Sequence, residues 1–107
     1  MTRRQPEPLE RSETLRRAIL RHLEEEPLTA RELSARVHIR EREVIPHLEH
    51  LERSLRRSES RLVFDAAECL SCGYEFRGRR RLTRPSACPR CRAQHIASPV
   101  FRVESRD

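Results

Sequence analysis

The sequence predicts an α+β fold in two parts, a helical part followed by a short ribbon pinned by cysteines. Three observations predict it. Apolar residues recur at three- and four-residue spacing through the first half. Two stretches of strand character, residues 61–64 (Arg-Leu-Val-Phe) and 99–103 (Pro-Val-Phe-Arg-Val), stand far apart near the end of the chain. Two Cys-x-x-Cys pairs lie between them. A length of 107 residues accommodates one small domain or two very small ones. With 36% hydrophobic and 37% charged residues the core must be thin, and 4% aromatics disfavour an aromatic-lined substrate cavity.

Residues 1–11 hold two prolines, three arginines and two glutamates with only Leu9 as a sizeable apolar group after Met1, the composition of a flexible tail. From Ser12, the residues Leu15, Ala18, Ile19 and Leu23 fall on one helical face, so a first helix is expected to end near Pro27. Thr29-Ala-Arg-Glu32 fits a capping box, which starts a short second helix with Leu33 and Val37 inward. A turn of about four residues holding Ile39 leads to Arg40-Glu-Arg-Glu43, then to Val44, Leu48, Leu51 and Leu55, the inward face of a third and longest helix. A short capped helix, a short turn with an inward aliphatic and a longer helix opening on polar residues make a helix-turn-helix pattern, although a plain three-helix bundle shares most of it. Pro46 would remove a backbone hydrogen bond in the second turn of helix three, so the helix is either kinked there or starts later.

If segments 61–65 and 99–107 pair, they form the small sheet of a winged helix over residues 12–65, with residues 66–98 inserted at the wing tip. A ribbon appended after a one-stranded wing would leave the same signals. The expected fold is therefore a three-helix winged helix-turn-helix with a two-knuckle zinc ribbon inserted in or appended to the wing.

Cys69-Leu-Ser-Cys72 and Cys88-Pro-Arg-Cys91 are separated by fifteen residues, a zinc-ribbon spacing. Each pair in a tight turn can aim two thiolates at one ion, and two turns complete a tetrahedron. Gly73 supplies the positive dihedral such a turn often needs, and Pro89 presets the second turn through its fixed dihedral. Two disulfides are disfavoured in a reducing compartment, and a redox pair needs one motif in a βαβ unit rather than two motifs flanking a hairpin. One structural zinc ion is expected, with iron as the alternative metal for the same four sulfurs. His95, four residues after Cys91, is expected on the nearby surface rather than as a ligand, and the same holds for His22, His38, His47 and His50, which have no evident second-ligand spacing.

All 23 basic residues are arginine, against 17 acidic residues, for a net charge of +6. The excess is uneven: residues 1–65 hold 14 arginines and 13 acids, residues 66–107 hold nine and four. Four thiolates with one divalent ion would lower the second part to +3 and the chain to +4. The candidate nucleic-acid contacts are Arg40 and Arg42 at the start of helix three, Arg56 and Arg57 beside the wing, and Arg77, Arg79, Arg80, Arg81 and Arg84 between the knuckles. Helix three itself is an unusual reader, since residues 41–52 carry one arginine against four glutamates. Tyr74 and Phe76 alternate with the ribbon's charges and are read as its small core rather than as base-stacking groups.

No nucleophile with a neighbouring base and no glycine-rich phosphate loop is evident, so the chain is not expected to be an enzyme. It also lacks an apolar run of membrane length and a secretion signal, which points to the cytoplasm. DNA is the expected partner. RNA, or a protein docked on the mixed-charge faces, is the alternative, and an electron carrier would require iron. A monomer or a weak homodimer through Leu48, Leu51 and Leu55 is expected.

The segments Val44-x-x-His47-Leu48-Glu49-His50-Leu51, Arg53-Ser54-Leu55, Cys69-Leu-x-Cys72-Gly73 and Arg81-Leu-Thr-x-Pro85-Ser-x-Cys88-Pro-x-Cys91 resemble a family of small archaeal and bacterial proteins described as predicted transcriptional regulators. In that family a winged helix-turn-helix is fused to a rubredoxin-like zinc ribbon. The resemblance runs over residues 14–103, and its two cysteine-bearing segments are the specific ones. It implies a DNA-binding regulator with one zinc ion.

Overall fold

The computed structural model describes residues 8–65, 67–76 and 82–105. Along the chain it places α1 (Pro8–Glu25), β1 (Leu28–Thr29), α2 (Ala30–Val37), α3 (Glu41–Leu55), β2 (Ser60–Phe64) and β3 (Val100–Ser105). The three strands form one antiparallel sheet in the order β1-β3-β2.

Helix α1 begins at Pro8, inside the stretch whose composition suggests a tail. Proline is favoured in a first helical turn, because its missing N–H would have no intrahelical acceptor there and its φ is already helical. Ile19 and Leu23 then face the core as their spacing predicts. The chain turns at Glu26 and Pro27, and Leu28 and Thr29 add a two-residue strand that periodicity alone does not reveal.

The capping box at α2 forms in both directions: the Glu32 amide donates to Thr29 Oγ1 at 3.1 Å, and the Thr29 amide donates to Glu32 Oε1 at 2.9 Å. Accepting from that amide holds the Glu32 carboxyl below its ordinary value. Helix α2 ends on His38, which adopts a left-handed φ of 58° and donates its backbone N–H to the Ser34 carbonyl. This is a position that usually selects glycine. The reversal brings Ile39 against the core and starts α3 at Glu41.

Pro46 lies inside α3, so the helix starts where the polar run predicts and continues through the proline. The proline leaves the Arg42 carbonyl without its usual amide donor, one turn from an end where hydrogen bonding is already incomplete. Val44, Leu48 and Leu51 are buried in the main core, and Leu55 packs against it. Those leucines serve this chain's own core.

Strands β2 and β3 pair along their length, from Ser60 opposite Ser105 to Phe64 opposite Phe101. Phe101 also pairs with Leu28 of β1, is fully buried, and holds its ring 5.8 Å from that of Phe64. The chain leaves the sheet after Phe64 and returns at Val100, so the cysteine segment is an insertion between paired strands. On the sheet, Arg102 bridges Asp65 at 2.7 Å and Glu104 at 2.9 Å, and Arg61 reaches Glu104 at 3.3 Å.

The insertion has its own small core of Ala67, Cys69, Cys88 and Ile96, covered by Tyr74, Phe76 and Ala93. The Tyr74 and Phe76 rings meet edge to face, with centroids 5.0 Å apart. Leu82 belongs instead to the main core, with Ile19, Leu33, Val44 and Phe101. The loop between the two knuckles is thus anchored on the helical part.

Candidate metal centre and nucleic-acid interface

Each Cys-x-x-Cys pair folds into the same turn. In the first, the Gly73 amide donates to the Cys69 carbonyl and the Cys69 amide to the Tyr74 carbonyl, both at 2.8 Å. In the second, Arg92 donates to Cys88 and Cys88 to Ala93, again at 2.8 Å. The residue after each pair is left-handed, Gly73 at φ 80° and Arg92 at φ 64°. The glycine is predictable from sequence; an arginine in the equivalent conformation is not, because its Cβ disfavours it. A bridge from Cys69 to Ile96 ties one knuckle to the segment following the other.

The turns bring all four sulfurs within 4.8 Å of one another. The cross-knuckle pairs Cys69–Cys91 and Cys72–Cys88 stand 3.5 and 3.7 Å apart. A tetrahedral ion bound at about 2.3 Å requires sulfurs roughly 3.8 Å apart, so these four fit one metal ion. The Arg90 and Cys91 amides point at Cys88 Sγ, at 3.4 and 3.5 Å. Donors aimed at sulfur favour the thiolate, the form that binds metal.

The thiols titrate accordingly. Burial raises Cys69, but the amides of Cys72 and Ser71 and the neighbouring thiols outweigh it and bring the group down to about 7. Cys88 is lowered by the same balance of burial against amide donors. Cys91 goes the other way, to about 12. The Ala93 amide favours its thiolate, but burial and the three adjacent sulfurs together keep its proton in place. Cys69 and Cys88 are buried, whereas Cys72 and Cys91 reach the surface. His95 is exposed and offers only its backbone carbonyl, which accepts from the Leu70 amide at 2.8 Å. With four protein sulfurs no coordination position remains for a reacting water, so the chemistry of the site is structural.

The arginines predicted to meet nucleic acid separate into groups. Arg40, Arg42 and Arg84 line one groove, between the start of α3, the loop between the knuckles and the start of β3. Arg57 is exposed beyond the end of α3. Arg56 is committed to Glu52, which accepts from both its Nε and its Nη2 at 2.8–3.1 Å. Arg77, Arg79, Arg80 and Arg81 lie outside the described residues. The acidic count of α3 also changes meaning. Glu43 accepts from the Arg40 amide at 3.2 Å as part of the helix start, and Glu52 is neutralised by Arg56. Glu41, Glu43 and Glu49 are exposed, so of the four glutamates of residues 41–52 Glu52 is the one offset by an ion pair among the described residues.

Sequence reasoning misses the role of Leu82, a single leucine between an arginine run and a proline. No periodicity marks it. The only available signal is its isolation as the one large apolar residue between Phe76 and Cys88.

Residues 14–63 match the family model described as PF0610-like, N-terminal, and residues 66–106 match the PF0610 rubredoxin-like zinc beta-ribbon domain. The fold is similar to that of the solution NMR structure of protein PF0610 from Pyrococcus furiosus, with a TM-score of 0.72 and 22% identity over 97% of each chain. No curated protein matches the sequence.

Proposed function

We propose that this chain, whose residues 14–63 match the PF0610-like N-terminal model and whose residues 66–106 match the PF0610 rubredoxin-like zinc ribbon model, is a DNA-binding transcriptional regulator. In this reading α1, α2 and α3 with the sheet are a winged helix-turn-helix, α3 is the recognition helix, and the β2–β3 ribbon is a wing whose tip is replaced by the metal-pinned insertion. The supporting observation is the convergence of Arg40 and Arg42, at the start of α3, with Arg84 of the insertion on one surface. Their guanidiniums enter no ion pair among the described residues, so they are available to phosphates or base edges. Zinc held by Cys69, Cys72, Cys88 and Cys91 supplies the folding energy of the ribbon and so fixes where its arginines are presented.

The insertion lies beside the start of α3, and this favours docking in which ribbon arginines contact phosphates while α3 contributes only its first turn. The basic run Arg77, Arg79, Arg80 and Arg81 is the natural extension of that contact, with Arg57 as a flanking phosphate ligand. Arg56, held by Glu52, contributes less than its position in sequence suggests.

The test compares duplex-DNA affinity of two variants of the zinc-loaded protein. Arg79, Arg80 and Arg81 changed together to glutamine are expected to weaken binding more than Arg40 and Arg42 changed together. The opposite order would restore ordinary groove reading by α3. No binding by the unmodified protein would leave the fold as a protein-interaction module.

A further inference from the structure

The groove that gathers Arg40, Arg42 and Arg84 has a second property, an apolar part to its lining. Ile45, Leu82 and Phe101 are its larger apolar lining residues, and its volume is about 450 Å³. Phe101 and Leu82 are buried, and Ile45 is half-buried. A volume of this size falls within the range of pockets that take small organic ligands, whereas a bare phosphate would fill little of it. Three arginines share the lining, with Glu41 as the one carboxylate among the lining residues.

We propose that this groove binds a small organic carboxylate, its apolar body on Ile45 and the accessible edge of Leu82 and its carboxylate held by Arg84 with Arg40 or Arg42. Guanidinium is the side chain best matched to a planar carboxylate, which it can grip with two parallel N–H donors. Charge and shape agree on this occupant. A neutral apolar molecule leaves the three arginines unused, and an inorganic anion leaves the apolar lining in water.

The groove is assembled from both parts of the protein. Ile45 and the two α3 arginines come from the helical part, Leu82 and Arg84 from the loop between the knuckles, and Phe101 from the returning strand. A bound carboxylate therefore bridges the parts and neutralises arginines that the DNA reading also uses, so ligand and DNA would compete. Ligand binding itself requires no nucleic acid, and its test contains none.

The test is a titration of the zinc-loaded, ¹⁵N-labelled protein with octanoate, followed by amide chemical shifts, with octanol and acetate as controls lacking the charge and the apolar body. Octanoate is expected to give saturable shifts at residues 40–45, 82–84 and 98–101. Octanol, acetate and the Arg84→Gln variant are each expected to bind about tenfold more weakly, the loss of one charge-assisted contact or of the apolar contact. Arg84 is exposed, so this variant keeps the core intact. Absence of saturable shifts, or equal affinity for octanoate and octanol, would overturn the proposal, as would unchanged affinity in both Arg84→Gln and the Arg40→Gln, Arg42→Gln double variant.

Discussion

The two knuckles offer a paired experiment, because they share one hydrogen-bond frame and differ at the residue that must be left-handed. Arg92 holds φ 64° where Gly73 holds φ 80°. For a residue with a Cβ the left-handed conformation costs roughly 1–2 kcal/mol. Replacing Arg92 with glycine removes that cost but adds glycine's unfolded-state freedom, about 0.5–1 kcal/mol. The net gain is about 0.5–1 kcal/mol in the folded knuckle. Gly73→Ala runs in reverse. A Cβ at Gly73 would meet Glu68 Oε1 at 4.0 Å, an ordinary contact, so the penalty is purely conformational. Set against alanine's smaller unfolded entropy, that penalty nets about 1 kcal/mol. Because the ribbon folds around its metal, both changes should appear in zinc affinity, measured by competition with a chromophoric chelator at neutral pH. Arg92→Gly is expected to tighten binding about threefold and Gly73→Ala to weaken it about fivefold. Neutrality of Gly73→Ala, or weakening by Arg92→Gly, would refute the assignment of strain to the second knuckle.

Other consequences can be measured directly. Leu82→Ala should cost about 2–3 kcal/mol and lower the melting temperature of the helical part by about 10 °C, since Leu82 is in the main core although it lies between the knuckles; a loss below about 0.5 kcal/mol would place it outside that core. Removing the metal should abolish protection of the Cys69, Gly73, Cys88 and Arg92 amides while the β2–β3 ladder stays protected, and unchanged exchange in the knuckles would contradict a structural metal. His47 is held below its ordinary value of 6.5 by burial and by the charge of Arg16 and His50, against the pull of Glu43. Its contribution to stability is therefore complete above pH 6.5 and is lost as pH falls from there through its lower folded value. His47→Gln should flatten thermal stability across that window relative to the parent protein, and an identical pH slope would show that His47 does not titrate differently on folding.

Much of the fold can be read from the sequence where periodicity and caps are strong. Ile19, Leu23, Leu33, Val44, Leu48 and Leu51 are spaced for one face and share one core. Thr29 and Glu32 announce the start of α2, and the four cysteines announce their own cluster. What escapes is decided by long-range packing. A two-residue strand at Leu28 and Thr29 exists because Phe101 and Val100 arrive to pair with it. Leu82 is buried only because the loop returns to the helical part, and the left-handed His38 and Arg92 follow from the turns around them rather than from their own preferences. The charge count of α3 misleads for a related reason. Counting over residues 41–52 cannot see that Glu52 is paired with Arg56, beyond that stretch.

The most direct test of the DNA-binding reading is fluorescence anisotropy of the zinc-loaded protein with a mixed-sequence duplex, titrated from low to physiological salt. Several arginines displacing counterions predict binding that persists near physiological salt and weakens steeply and linearly on a log–log plot. Absence of binding even at low salt would contradict that reading.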